Sequence, residues 1–518
     1  MATPNRRLTR KLSIIAQDPA VRYNGKILRA EIEIPAERLL PGPCGYRIVV
    51  DPVGEQPCRI PIHRDPFATA SDERLLADSR FHAQNSYAIL MRTLARFEQA
   101  LGRRVSWGFP GHQLRVATHA FQQANAFYSA RTRSILLGYF PGTEGMVYTA
   151  LSHDVIAHEG THALVHGLRR RYFDPSSPDQ AAFHEGFADL IALLSVFSLP
   201  SVVAALLGSA TLRPEQLSPE HLRQSLLFAM AQQMGQEISN VRGQPLRRSI
   251  QIRPSAQWKR DPAFAEPHRR GEILVAAVMN ALLEVWLCRL RQLGTLDAYR
   301  VAAEAADTAD RLLSMAIRAL DFCPPTDILF SDFLSAVLTA DREMSPDDAR
   351  FQFRETILKS FSRFGLRPTS KGEHGAWEPP EGRLHYDRSH LDSLQRDRDE
   401  VFRFLWENRK PLRVREGADT FVQSVRPAVR VGPDGFVLRE SVAEYIQKMR
   451  LPASGLRSMG IRAPKGMPAD HPVTLWGGGT LIFDEFGRLK VHVRNRIDNA
   501  ERQNRCLAYL WALRQEHL

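Results

Sequence analysis

One stretch limits what this chain can become more than any other: residues 152–194, SHDVIAHEGTHALVHGLRRRYFDPSSPDQAAFHEGFADLIALL. Its first part carries Val155, Ile156, Leu164 and Val165 at helical spacing, with Ser152 or Asp154 able to cap the start. Its last part, HEGFADLIALL, repeats a helical pattern after the turn-forming run Asp174-Pro175-Ser176-Ser177-Pro178. That turn lets the second helix fold back against the first. In the first helix, His158 and His162 stand four apart and share a face, so both imidazoles reach one ion. Glu159, about 100° further round the helix, lies at the edge of that face. There it can take a proton from a water that the ion activates.

A catalytic zinc site needs three protein ligands and an open position. Three residues compete to be the third ligand. His166 is one turn beyond His162, but three histidines on one straight helix splay around its axis. His184 adjoins Glu185 and is expected to point away when Glu185 points in. Glu185, on the second helix, is the preferred third ligand. Asp189 falls one turn after it, placed to accept a hydrogen bond from the free ring nitrogen of a ligating histidine and so fix that ring.

His158-Glu159-x-x-His162 followed by Glu185-Gly186-x-Ala188-Asp189 resembles the gluzincin metallopeptidases, in particular the thermolysin and fungalysin families. Asn125-Ala126-Phe127-Tyr128 is similar to the edge strand with which those enzymes hold a substrate backbone. It implies the Asn125 side chain and the Ala126 main chain as substrate contacts. Glu266-Pro267-His268-x-x-Gly271-Glu272-Ile273 is similar to the segment carrying the histidine that hydrogen-bonds the oxyanion, a role that falls to His268. A tyrosine between the second zinc histidine and the glutamate commonly assists, and Tyr172 occupies that interval. Residues from Cys323 (CPPTDILFSDFLSAVLTADRE) look like the closing helices of such a domain, so the resemblance spans about 125–343.

The chain also departs from the pattern. The helix after Glu185 continues Leu193-Leu194-Ser195-Val196 where secreted relatives place calcium-binding acids, so no calcium is expected. In the family an aspartate five positions before the oxyanion histidine commonly orients its ring. Here that position is Ala263, with Asp261 and Glu266 as the acids nearby.

The resemblance implies an α+β fold: a thermolysin-like zincin catalytic domain with an edge-stranded sheet and a mainly helical lobe. Around it the sequence places a β-rich N-terminal region (1–75), the catalytic domain (76–365), a Pro-, Gly- and His-rich linker (366–392) and an α+β accessory domain (393–518) with a hairpin turn at Pro433-Asp434-Gly435. The helical run 271–290 is apolar almost all round and reads as centrally buried. Met230 and Met234 read as ordinary packing residues. The expected function is zinc-dependent peptide hydrolysis by an endopeptidase carrying one Zn2+ per chain, with Glu159 moving the proton and His268 and Tyr172 serving the oxyanion. The alternative is an inactive zinc-stabilised scaffold, which would need the three ligands but not Glu159.

At 518 residues, 44% apolar and 24% charged, the chain has ordinary globular composition and room for several cores. The net charge of +12 comes from scattered arginines, and no motif that reads bases accompanies it, so protein or peptide is the expected partner rather than nucleic acid. Arg169, Arg170, Arg171, Arg269 and Arg270 lie near the site in sequence and suggest acidic substrates. Five widely spaced cysteines, an N-terminal apolar run limited to 12–16 and no stretch nearing ~20 apolar residues point to a cytoplasmic protein outside the membrane.

Overall fold

The computed structural model describes residues 8–20, 22–142, 145–207, 249, 251–292, 297–347, 352–431, 435 and 437–516. The fold is mixed α+β. An N-terminal hairpin of β1 (Thr9–Ile15) and β2 (Arg29–Pro35) alternates buried and exposed residues and lays its apolar face on a long helix. A five-stranded sheet follows, built from β3 (Ile48–Val50), β4 (Leu114–Phe121), β5 (Ala126–Ser129), β6 (Ser134–Gly142) and β7 (Gly145–Tyr148). The order is β3-β4-β6-β5, parallel across the first three and antiparallel at β5, which forms an edge. Strand β7 pairs with the far end of β6.

Behind this sheet lie helices α1 (Ser79–Leu101), α2 (His153–Leu168) and α3 (Pro178–Phe197), then α4 (Pro267–Arg291), α5 (Ala298–Ala319) and α6 (Phe330–Met344). Helix α2 starts after Ser152, whose hydroxyl bonds Asp154 rather than the helix backbone. Helix α3 has a standard start: the Ser177 hydroxyl accepts from Gln180 N, and Pro178 takes the first turn, where its missing N–H costs nothing. Helix α4 is capped by Glu266, whose carboxylate accepts from the backbone N–H groups of His268 and Arg269. By length and composition α4 could cross a membrane, which the sequence reading did not credit to any stretch. In the fold 83% of its most apolar window is buried, as expected of a core helix. It is the one such helix among the described residues.

The last part of the chain forms α7 (Arg398–Glu407), the antiparallel sheet β8 (Asp419–Val431), β9 (Val437–Pro452), β10 (Pro472–Phe483) and β11 (Leu489–Asn495), and α8 (Ala500–Glu516). Two-residue alternation gives this sheet two working faces. Leu481 and Phe483 pack with Phe404 and Val401 of α7, whereas Ile482 between them joins the main core with Val442, Val491 and Val493. The sheet therefore shares its core with the helices that carry the site. A layer of buried ion pairs seals the same boundary. Glu444 meets Arg169 and Arg426 at 2.7 Å each, Asp321 meets Arg103 and Arg430 at 2.6 Å each, and Asp332 meets Arg502 at 2.7 Å.

Residues 366–392, expected as a linker or long surface loop, are strapped down over their first part. Leu366 and Ala376 enter the main core, Ser370 N donates to Ser335 Oγ and Trp377 N to Thr339 Oγ1, both on α6. The N-terminal region likewise packs into the main core through Leu12, Ile14, Ile32 and Ile34. Met230 and Met234, and residues 432–434 of the expected hairpin turn, lie outside the described residues. The strands flanking that turn pair as far as Val431 and Val437.

Candidate metal centre

Helices α2 and α3 meet face to face, and His158, His162 and Glu185 converge between them. Their ligand atoms all lie within 4.8 Å of one another. Glu185 Oε2 is 3.5 Å from His158 Nε2 and 3.5 Å from His162 Nε2. These gaps are long for hydrogen bonds, which cluster at ~2.7–3.2 Å. They match the ~3.3 Å between corners of a tetrahedron whose centre is ~2.0–2.1 Å from each nitrogen or oxygen. The donor set, two imidazoles and a carboxylate, is the chemistry zinc takes. The residues present therefore fit such an ion.

The shell behind the ligands is built as well. Asp189 Oδ1 lies 2.7 Å from His158 Nδ1, which leaves Nε2 as the nitrogen facing the cluster. Burial opposes the charge on Glu185, but the neighbouring imidazoles, His162 foremost, override it and hold the carboxyl well below its usual range. Burial holds His162 itself well below the ordinary histidine value, toward the neutral form a ligand needs.

Glu159 is 1% exposed, and its Oε2 accepts a 2.8 Å hydrogen bond from Tyr128 N on the edge strand β5. Glu159 is thus anchored to the backbone of the edge strand. On that strand Ala126 is buried, and its N–H donates to the Asn125 side chain at 2.8 Å. The two residues expected to hold substrate are bonded to each other here.

His268, at the start of α4, reaches the cluster: Nε2 lies 3.5 Å from Glu185 Oε2, and the side chain is 58% exposed. The acid that orients its ring is Glu266, whose Oε1 lies 2.7 Å from Nδ1. Asp261 instead caps a short turn at Ala263. One carboxylate therefore both caps α4 and fixes the histidine.

Tyr172 is not brought to the centre, and its expected oxyanion role is corrected. Its ring is buried against Phe183, and its hydroxyl donates to the Pro324 carbonyl at 2.6 Å. The three-residue gap between α2 and its position turns the side chain into the core rather than the cleft.

Two further residues meet the centre: His184, weighed above as a third ligand, and Tyr128 of the edge-strand segment. His184 stacks on His162 with centroids 4.2 Å apart and planes 8° off parallel, and its Nε2 is buried without a hydrogen-bond partner among the described residues. It was expected to point away, but only the following residue's carboxylate turns toward the ligands, leaving this ring to lie flat on its neighbour. Tyr128 joins the base to the far end of α2, its hydroxyl 3.0 Å from His166 Nδ1. No sequence spacing signals either contact, since each crosses between elements.

Four of the five arginines expected to favour acidic substrates are already paired. Arg169 meets Glu444, Arg269 meets Glu272 and Arg270 meets Asp179, while the Arg171 guanidinium lies 3.6 Å from the Trp476 ring centroid. The five cysteines form no disulfide among the described residues. No protein-family model matches this chain, and no curated protein matches it.

Proposed function

We propose that this protein is a zinc-dependent peptidase of the gluzincin type, with a thermolysin-like catalytic core. The observation that carries the reading is the meeting of His158, His162 and Glu185 at coordination spacing, with Glu159 beside them but outside the set. Zinc held there would act as a Lewis acid and make water a nucleophile near neutral pH. Glu159, steadied by Tyr128 N, accepts the proton of the attacking water and passes it to the departing amine. His268 donates from Nε2 to the oxygen that gains charge. Glu266 Oε1, 2.7 Å from Nδ1, holds the ring in the orientation that turns Nε2 toward the cluster. An inert scaffold would have use for the three ligands and Asp189 but none for a buried carboxylate tied to an edge strand.

The test pairs zinc analysis with cleavage of an unbiased peptide library. Wild type should carry about one zinc per chain and cleave, and Glu159→Gln should keep the metal while losing at least ~10²-fold in turnover. Zinc bound equally but no cleavage by either protein would sink the hydrolytic reading.

A further inference from the structure

A cavity of about 770 Å³ opens one helical turn past His162, where α2 ends against the C-terminal sheet. That is within the size range of small-ligand pockets, ~300–1,000 Å³. Its wall contains five arginines, Arg103, Arg104, Arg170, Arg398 and Arg426, and no aspartate or glutamate. Arg103 and Arg426 are neutralised by Asp321 and Glu444. Arg104, Arg170 and Arg398 are exposed and meet no carboxylate among the described residues. The Ser424 hydroxyl in the same wall is buried without a hydrogen-bond partner among those residues. The second large cavity, about 970 Å³, shares Arg103 and Arg104 with this one but also has Glu31, Glu33 and Glu98 in its wall.

The pocket is held rigidly to the site. A Cβ on Gly167 would fall 1.7 Å from the Ser106 carbonyl, and one on Gly108 would strike the His166 ring, so the pocket wall and the end of α2 touch backbone to backbone. Tyr128 bridges the two places, with its backbone N–H on Glu159 and its hydroxyl on His166 in the pocket wall.

We infer that this pocket receives acidic side chains of a peptide bound along β5, and that the protein acts on acidic peptide segments. The inference rests on the hydrolytic reading above and names its substrate class. Three unpaired guanidiniums around a semi-enclosed space attract carboxylates and reject lysine or arginine.

The test uses dye-labelled peptides, one glutamate-rich and one with glutamine at the same positions, and zinc-loaded Glu159→Gln protein. Fluorescence anisotropy should show the acidic peptide binding about tenfold tighter, as two or three partly exposed charge pairs allow. The gap should close in the Arg104→Glu/Arg398→Glu variant, shrink in the milder Arg170→Gln variant, and narrow as salt rises. Both variants alter exposed side chains, and a thermal melt checks that they stay folded. Equal binding of the two peptides, or a preference that survives charge reversal in a folded protein, would overturn the inference. Discrimination in binding, combined with no cleavage of either peptide by wild type, would remove the hydrolytic reading and leave the acidic pocket standing.

Discussion

At the scale of single residues, the proposed centre separates groups that would hold an ion from groups that would act on substrate. Asp189 meets the back of His158, so its effect should appear in metal affinity before anything else. We expect Asp189→Asn to weaken zinc binding by ~10–100-fold in a chelator competition while the fold stays intact. Tyr172 and His268 make an opposed pair. Tyr172→Phe leaves the buried Pro324 carbonyl without its donor and should cost about 1–3 kcal/mol in denaturant unfolding, with kcat unchanged below the transition. His268→Ala sits at an exposed helix start, so it should leave stability nearly untouched and lower kcat by ~10²–10³-fold. The opposite pattern in either variant would reverse the placement of the two residues. His158, His162 and Glu185 were legible because helical spacing and one turn fix where they point. Tyr172 was not, because its partner lies on a segment about 150 residues further on.

At the scale of elements, the contact between α3 and α4 decides whether His268 reaches Glu185. The helices cross at two glycines, where a Cβ on Gly186 would lie 2.7 Å from the Gly271 carbonyl and one on Gly271 2.9 Å from the Ala182 carbonyl. Each glycine lies within three residues of a site side chain, Glu185 on one helix and His268 on the other. Gly271→Ala must push backbone from backbone, with no flexible side chain to yield. We expect it to cost about 1–3 kcal/mol, and to lower kcat/KM through His268 without displacing zinc. A melt and a metal assay on the same protein would show this, and unchanged kinetics would contradict it. The helices themselves were legible as apolar periodicity. The strap across α6 was not, because its Pro, Gly and Ser content marks an absence of regular structure and says nothing about whether the chain is tied down.

At the scale of the whole molecule, the C-terminal sheet is part of the body that holds the site. The side chains of Arg169, which follows the last turn of α2, and Glu444 are each 1% exposed. Glu444→Ala would strand the Arg169 and Arg426 charges in the interior, and we expect a loss of ~3–5 kcal/mol, enough to threaten folding at 37 °C. Glu444→Gln, which keeps a hydrogen-bond acceptor, should be milder. Asp321 adds a pH dependence. Burial opposes its charge, but Arg103 foremost, with Arg430 and Arg169, outweighs burial and holds the carboxyl far below the usual range. With its folded value below the unfolded value of ~3.9, it contributes its full stability above about pH 4, and loses it as pH falls toward the folded value. Melting temperature should therefore drop steeply below about pH 4, and less steeply in Asp321→Asn, which starts less stable at neutral pH. These long-range pairs were invisible in the sequence, where the same arginines read as a solvated surface or as bait for substrate.

The strut from Arg169 to Glu444 also sets an order of events. Glu444 leaves the ribosome long after the metal helix does, and until it arrives the end of that helix has a naked charge to bury. The end of α2 therefore reaches its final packing only once synthesis has passed β9.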